Sequence, residues 1–593
     1  MAGAEERNQQ TGAEKTSAPV PSLSFTRLLP EDPEEAERIF NSLPIQEQAD
    51  VLLQVRGKER LHTLFLSKDP EQLLQHLPEL EVFLTVKEIG ERDALPLVSL
   101  TTPEQFQLLL DLDCWKRDEL DPEKILHWLE ILLECGEKKI AQFIHAEDPE
   151  FIALLLKKFL RVTTLEGEPV EVSENVPPFT LDQYYFVHFM GKETRPVLER
   201  FLKIFSLIEP GGYPKLMEAL IWELGSEIEE GQYRIRNARL AEHGFPDLEE
   251  ALEIYRFIQP DSLAPGEKGS FTRGAEEGAQ GQPAFYLTYV DESPFFSSVL
   301  VRIDDPGERD RLKMEMTAIC NRAMVAEATD LSRFEEIERI TKKAFHYLNL
   351  GLQYLSGQEE TKALEILRSL PLLKVFRCGA SLTLLLRKKA DALFRGPWFE
   401  GREENLVLLD PPHLERFEGL LKKRPSLHRQ GKIEDFKNQE LREADAFIEM
   451  VGSVTRVLRD QVGVHLQDLK NLDLTGCHPD HWRRITLSTL FLTSLANQVF
   501  KGSFRFEAIE RTRLNDLFSR VFERNEQGKG VIKMEIRNGL QDWFESIDDD
   551  ENKRSQLLAF RDFCLDLLEE EFGKIRPGGE VDPRFVKGLL ISG

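Results

Sequence analysis

The chain has 593 residues, 41% hydrophobic and 30% charged, with a formal net charge of −28. That length allows about two to four domains with sizeable cores, and the charge excludes a surface built for general nucleic-acid binding. No run of about 18 uncharged apolar residues is present, the N-terminus lacks an apolar signal core, and the six cysteines are too scattered for a disulfide framework, so a cytoplasmic protein with reduced thiols and no membrane span is expected.

Residues 1–28 are rich in Glu, Gln, Ala, Ser and Pro without period and read as a disordered tail. One phrase then recurs: Asp32-Pro33-Glu34, Asp69-Pro70-Glu71, Thr102-Pro103-Glu104, Asp121-Pro122-Glu123 and Asp148-Pro149-Glu150. Asp or Thr before Pro is a helix cap followed by the first helical residue. The side-chain oxygen accepts an unpaired N–H of the first turn. Proline gives up no hydrogen bond there, and the Glu meets the positive end of the helix dipole. After Asp121 come Ile125, Leu126, Trp128, Leu129, Ile131, Leu132 and Leu133; after Asp148 come Phe151, Ile152, Leu154, Leu155, Leu156 and Phe159. Helices apolar over so much of their circumference must be enclosed by neighbours. The prolines stand 37, 33, 19 and 27 residues apart, the size of helical-repeat units at irregular period. Residues 29–165 are therefore expected to form an array of short capped helices.

Val162 to Leu165, Glu166-Gly167 and Val170 to Val172 read as a small hairpin. Tyr184 to Phe189 fits a strand or a helix start, and helices fill the rest of 166–258. Residues 259–283 are Gly/Pro-rich and read as a linker or loop. Phe285 to Val290 reads as a short strand. The region 284–593 is expected to be helical over 308–395, 433–470, 479–501, 505–524 and 552–573, with two subdomains dividing near 410–435. The expected fold is mostly α: a multidomain helical protein with an N-terminal array and small β-hairpin elements.

Lys87-Glu-Ile-Gly90, Leu110-Asp-Leu-Asp-Cys-Trp115, Leu120-Asp-Pro-Glu123, Glu415-Arg-Phe-Glu-Gly-Leu-Leu421 and the acidic C-terminal helix together resemble an uncharacterised bacterial family of cytosolic helical proteins, over most of the chain. That resemblance implies no activity. More loosely, the Pro-Glu-led helices are similar to the superhelical cytosolic domain of magnesium channels and of the flagellar motor switch protein, which implies fold alone.

Chemistry is thinly signalled. His465, Cys477, His478 and His481 form the densest group of soft ligands, but zinc wants four such ligands at fixed distances, and adjacent residues point apart; no metal and no cofactor is expected. Asp548 to Asn552 lacks the Gly that a calcium loop needs at its sixth position, where Lys553 stands. No phosphate-binding glycine loop or nucleophile elbow is present, and no catalytic residue is assigned. Asp111, Asp113 and Trp115 mark a tight corner, read as a packing anchor rather than a binding corner. Residues 371–432 hold 13 Lys/Arg against 7 Asp/Glu, a local basic stretch in an acidic chain. The expected function is a non-enzymatic interaction or scaffold protein docking protein partners on the array. The alternatives are an enzyme with an inter-domain site, metal-dependent or not, and a nucleic-acid-associated regulator using 371–432.

Overall fold

A computed structural model describes residues 33–116, 118–164, 177–222, 225–263, 285–429, 432–434, 436, 439–526, 529–547, 550–572 and 586–593. These are mostly helical, with sheets of two or three short strands. The expected tail, Asp32, the turn at Glu166-Gly167 with Val170–Val172, and 264–283 of the Gly/Pro-rich stretch lie outside the described residues. No described helix is long and apolar enough to cross a membrane.

Contacts divide the chain into two units. The first comprises Met1–Glu253, Ser270–Val290 and Pro306–Thr341; the second comprises Ile254–Gly269, Asp291–Asp305 and Lys342–Gly593.

The first unit begins with the array: α1 Pro33–Phe40, α2 Ile45–Gln54, α3 Gly57–Leu64, α4 Pro70–Gln75, α5 Glu79–Ile89, α6 Leu95–Val98 and α7 Pro103–Asp113. A two-residue ribbon, β1 Trp115–Lys116 with β2 Glu119–Leu120, turns the chain into α8 Pro122–Glu134, α9 Glu137–Ala146 and α10 Pro149–Lys157. The caps act as their residues dictate. Asp69 accepts from the N–H of Gln72, Asp121 from Glu123 and Asp148 from Glu150. Thr102 and Gln105 form a reciprocal capping box. Gln105 also donates to the carbonyls of Leu74 and Leu77, at 3.0 and 3.1 Å, satisfying the open end of α4. Every residue from Gln105 to Asp113 is buried, as expected for a helix enclosed on all sides.

The array continues into β3 Leu160–Thr164 and β4 Tyr185–Phe189, antiparallel with Val162 opposite Val187. Phe179 adds a bridge to Val187. The ambiguous 184–189 stretch is thus a strand. Then come α11 Arg195–Ile208, α12 Gly212–Trp222, α13 Gly225–Glu242 and α14 Leu248–Leu252. α10 packs on α12 and α13, and α14 packs on the helix Pro306–Ala326.

Phe285–Glu292 is a 3-10 helix, not the expected strand. Its burial follows the helix: Phe285, Tyr286, Tyr289 and Val290 are all buried, a helical spacing rather than alternation. Its place is fixed by polar contacts. The Phe285 N–H donates to Glu81 at 3.1 Å, and Glu81 is itself fully buried against Arg60. Arg56 lies 4.9 Å from the centres of both the Phe285 and Tyr289 rings and donates to the Tyr289 hydroxyl at 2.7 Å.

In the second unit, the portion of Phe334–Ser356 from Lys342 onward crosses Leu372–Phe394 at Gly351 and Gly379, with Tyr347, Phe376 and Tyr255 interlocked edge to face or tilted beside the crossing. Gln439–Asp460 packs against Glu551–Phe572. Leu487–Lys501 is buried at every residue from Leu487 to Asn497. Its hydroxyls have partners: the Leu590 N–H donates to Thr493 at 2.9 Å, Thr489 donates to the Lys587 carbonyl, and Ser488 meets the buried carboxylate of Asp410 through both its N–H and its hydroxyl.

Three helical expectations are corrected here. Residues 433–470 are not one helix: Lys432–Glu434 is a strand paired with Leu427–Arg429, and the helices are Gln439–Asp460 and Leu466–Lys470. Residues 505–524 are not one helix: Ile509–Glu510 is a strand, only Leu514–Val521 is α-helical, and Phe522–Arg524 pairs with Gly530–Ile532. Ile509 is drawn away because it pairs with Ile591 near the C-terminus, a contact that no local pattern encodes. Residues 479–486 likewise precede the helix: Trp482–Arg484 is a 3-10 turn capped by His481.

Candidate docking surface

The sequence-marked groups have internal roles. At the Asp-Leu-Asp-Cys-Trp corner, α7 ends and both carboxylates turn inward. Asp111 takes a two-pronged hydrogen bond from Arg239 of α13, at 2.7 and 2.8 Å, and a third from Gln107. Arg236 donates to the Asp111 carbonyl at 2.6 Å and lies 5.4 Å from the Trp115 ring. Asp113 is held by Lys87 at 2.8 Å and by the Trp128 indole N–H at 2.7 Å, with Lys124 at 3.7 Å. A carboxylate so committed has little left for a ligand. The corner joins α5, α7, α8 and α13.

Two groups beside it are shifted by burial. Lys139 is buried, donates to the Thr101 carbonyl at 2.5 Å and sits over Phe106; burial brings its amine down to about 8. Glu147, half-buried after α9, is pushed up to about 7, also chiefly by burial. A void of ≈ 10 Å³ among Phe106, Trp128, Leu132 and Phe143 is about the size of one water and is lined by apolar side chains. It offers no ligand site.

The four soft-ligand candidates are used separately. Cys477 and His478 form a strand against Ser592 and Ile591. His481 accepts from the Arg483 N–H at 3.1 Å and stacks on Trp482. His465 precedes the short helix Leu466–Lys470. Among the described residues, no three His, Cys, Asp or Glu side chains gather where a metal could sit. In the basic stretch, Lys389 pairs with Asp445, Arg429 with Glu443, Arg395 with Asp391, and Arg424 lies 4.3 Å from the Tyr255 ring centre.

What sequence reading missed lies between residues 181 and 222. Among the described residues, five of the fourteen strongly exposed large apolar side chains fall there: Leu181, Tyr184, Met190, Leu207 and Trp222. Four residues make a connected group. Tyr184 and Tyr185 meet edge to face at 4.8 Å. The Tyr185 hydroxyl donates to Glu218 at 2.6 Å, and the Trp222 indole N–H donates to the other oxygen of Glu218 at 2.7 Å. The hydrogen bond to Glu218, reinforced by burial, pushes the Tyr185 phenol up to about 12. Asp182 accepts from the N–H groups of Tyr184 and Tyr185, both at 2.9 Å, and fixes the entry to β4. Trp222 is 75% exposed although its N–H is tied, so a large ring is held in one orientation in water.

A readable signal existed. The buried face of α12 is Tyr213, Leu216, Met217 and Leu220, the i, i+3, i+4, i+7 pattern. Glu218 and Trp222 fall roughly opposite, at about 100° per residue. A tryptophan on the polar face of an amphipathic helix is a feature that burial does not explain.

Neither comparison with curated proteins nor comparison with solved structures gave a match. The sequence itself, from residue 37 to residue 592, matches a family of unknown function (DUF6178), and the protein belongs to that family.

Proposed function

We propose that this is a non-enzymatic, cytoplasmic interaction protein that docks a protein partner on its first unit, at the surface carried by β4 and α12 beside the array. The observation that carries this reading is Trp222. Leaving so large a ring in water is unfavourable by the area it exposes, and its hydrogen bond to Glu218 keeps it from folding back. Rigid aromatic side chains of this kind dominate binding energy at protein interfaces. The buried charges of the array support the same reading from the other side, because Asp111, Asp113 and Glu81 are engaged with Arg239, Lys87 and Arg60 and are not poised for chemistry.

The test is site-specific photo-cross-linking in the native host. A benzophenone amino acid replaces Trp222, and in a control it replaces Leu472, an exposed residue of the second unit. A discrete protein adduct from position 222 and none from 472 supports docking here. The same adducts from both positions, or none from 222, refutes it.

A further inference from the structure

Resting on that docking reading, we propose that Glu218, framed by Tyr184, Tyr185 and Trp222, receives a cationic side chain, lysine or arginine, presented by the partner. The carboxylate is the centre of the argument. Each oxygen accepts one hydrogen bond from a neutral aromatic donor, and each keeps a further lone pair. Several other carboxylates of the first unit meet a cation: Glu88 pairs with Arg56 at 3.0 Å, Glu229 with Lys158 at 2.9 Å, and Glu199 with Lys203 at 2.8 Å. Among the described residues, Glu218 has no such partner; Lys215, on the preceding turn, makes no ion pair with it.

The rings repeat the pattern. This unit places cations over aromatic faces freely: Arg195 lies 5.3 Å from the Phe189 ring centre, Lys203 5.5 Å from Phe179, and Arg236 5.4 Å from Trp115. Among the described residues, no cation lies over Tyr184 or Trp222, and both are exposed. A cation within about 6 Å of such a ring is attracted by its quadrupole, most strongly for tryptophan. Asp182 adds a second negative charge close enough to raise the Tyr185 phenol.

Charge also decides against other occupants. An apolar side chain seated on Trp222 would strip water from Glu218 and return nothing. An acidic one would be repelled by Glu218, by Asp182 and by a chain of net charge −28. A lysine or arginine satisfies the carboxylate and the rings together, and its long stem covers the exposed apolar ring.

The experiment uses the full chain labelled with 5-fluorotryptophan, the Trp222 resonance being assigned from Trp222→Phe. Two probes are titrated: an end-blocked Gly-Lys-Gly-Arg-Gly peptide and its Gly-Glu-Gly-Asp-Gly counterpart. The basic peptide is expected to shift the Trp222 signal saturably and the acidic one to leave it in place. Glu218→Gln, which keeps one acceptor oxygen, should weaken the basic peptide at least about fivefold. Equal responses to the two peptides, no response to either, or an unchanged affinity in Glu218→Gln overturns the inference. The two readings fail separately. A cross-linked partner at position 222 with no basic-peptide shift leaves docking standing and removes the cation. An absent adduct removes docking whatever the peptides do. An adduct with a second copy of this chain replaces the foreign partner and overturns the proposal.

Discussion

Gly379→Ala is the sharpest test of the second unit's packing. A Cβ at position 379 would stand 2.0 Å from the Tyr347 carbonyl oxygen, 2.8 Å from its carbon and 3.0 Å from the Gly351 nitrogen. Ordinary contact begins near 3.4 Å, so the shortfall is 1.4 Å. The obstructing atoms are backbone in the middle of a helix and cannot rotate away as a side-chain tip can. The two helices must therefore separate, opening the cluster in which Tyr347 and Phe376 meet at 5.3 Å. Overpacking a well-filled core costs about 1–3 kcal/mol, and the loosened aromatic contacts add to that. The better helix propensity of alanine returns at most about 1 kcal/mol. With the aromatic loss and the propensity gain roughly offsetting each other, the net expectation is a loss of roughly 1–3 kcal/mol. Gly539→Ala is the matched control, because that helical glycine has nothing within 4 Å of the new methyl and should gain about 0.5–1 kcal/mol. With two units, a single melting curve is not a two-state quantity. The assay is urea-dependent hydrogen exchange read by mass spectrometry on peptides from 342–356 and 372–394. An unchanged or raised midpoint for Gly379→Ala would refute the close crossing.

Three further predictions concern the first unit. Glu147 has its acid form favoured by burial, with a value of about 7 against the usual 4.5; stability should fall as pH rises from about 4.5 to 7 and stay low above, by about 1–2 kcal/mol after screening, and Glu147→Gln should flatten that fall in urea titrations across the range. Lys139 is shifted down to about 8, so its burial penalty is complete below pH 8 and is relieved as pH rises towards the unfolded value of 10.5; wild-type stability should climb by up to one proton's slope in that window, and Lys139→Met should remove the climb. Among its described side chains, α13 buries only Gln232 and Leu240 and is fastened by Glu229, Arg236 and Arg239. Arg239→Ala leaves the buried Asp111 carboxylate without its cation and with Gln107 as its remaining side-chain donor, at a cost of about 3–5 kcal/mol, and should speed amide exchange in α13 far more than in α8; equal rates in the two helices would show that α13 is not held by charge.

The parts of the fold legible in the sequence were those encoded within one or two turns. Asp69, Thr102, Asp121 and Asp148 cap helices because a side-chain oxygen reaches an N–H two or three residues on, and that geometry is written in the local order of residues. The greater part of the expected 479–501 helix is legible for the same reason, and Leu487–Lys501 is that helix. What escaped was set at long range. Ile509 leaves the helical pattern because Ile591 offers it a ladder. Phe285 to Val290 has the residues of a strand, yet Glu81 and Arg56, more than two hundred residues away, hold it as a helical turn.

The exposed group around Trp222 escaped for another reason. Sequence reading weighed residues by type, and so favoured Cys, His and clustered Asp. Those groups have ordinary structural work: His481 caps a turn, Cys477 sits in a strand, and Asp111 anchors α13. Trp222 carries no such signal by type, because tryptophan is usually core. Its helix position argues otherwise, since Tyr213, Leu216, Met217 and Leu220 already fill the inward face of α12 and leave position 222 pointing outward. A large aromatic opposite a complete apolar stripe adds nothing to the core. On the proposed reading a partner offsets its cost, and the carboxylate hydrogen-bonded to it specifies the charge that this partner should carry.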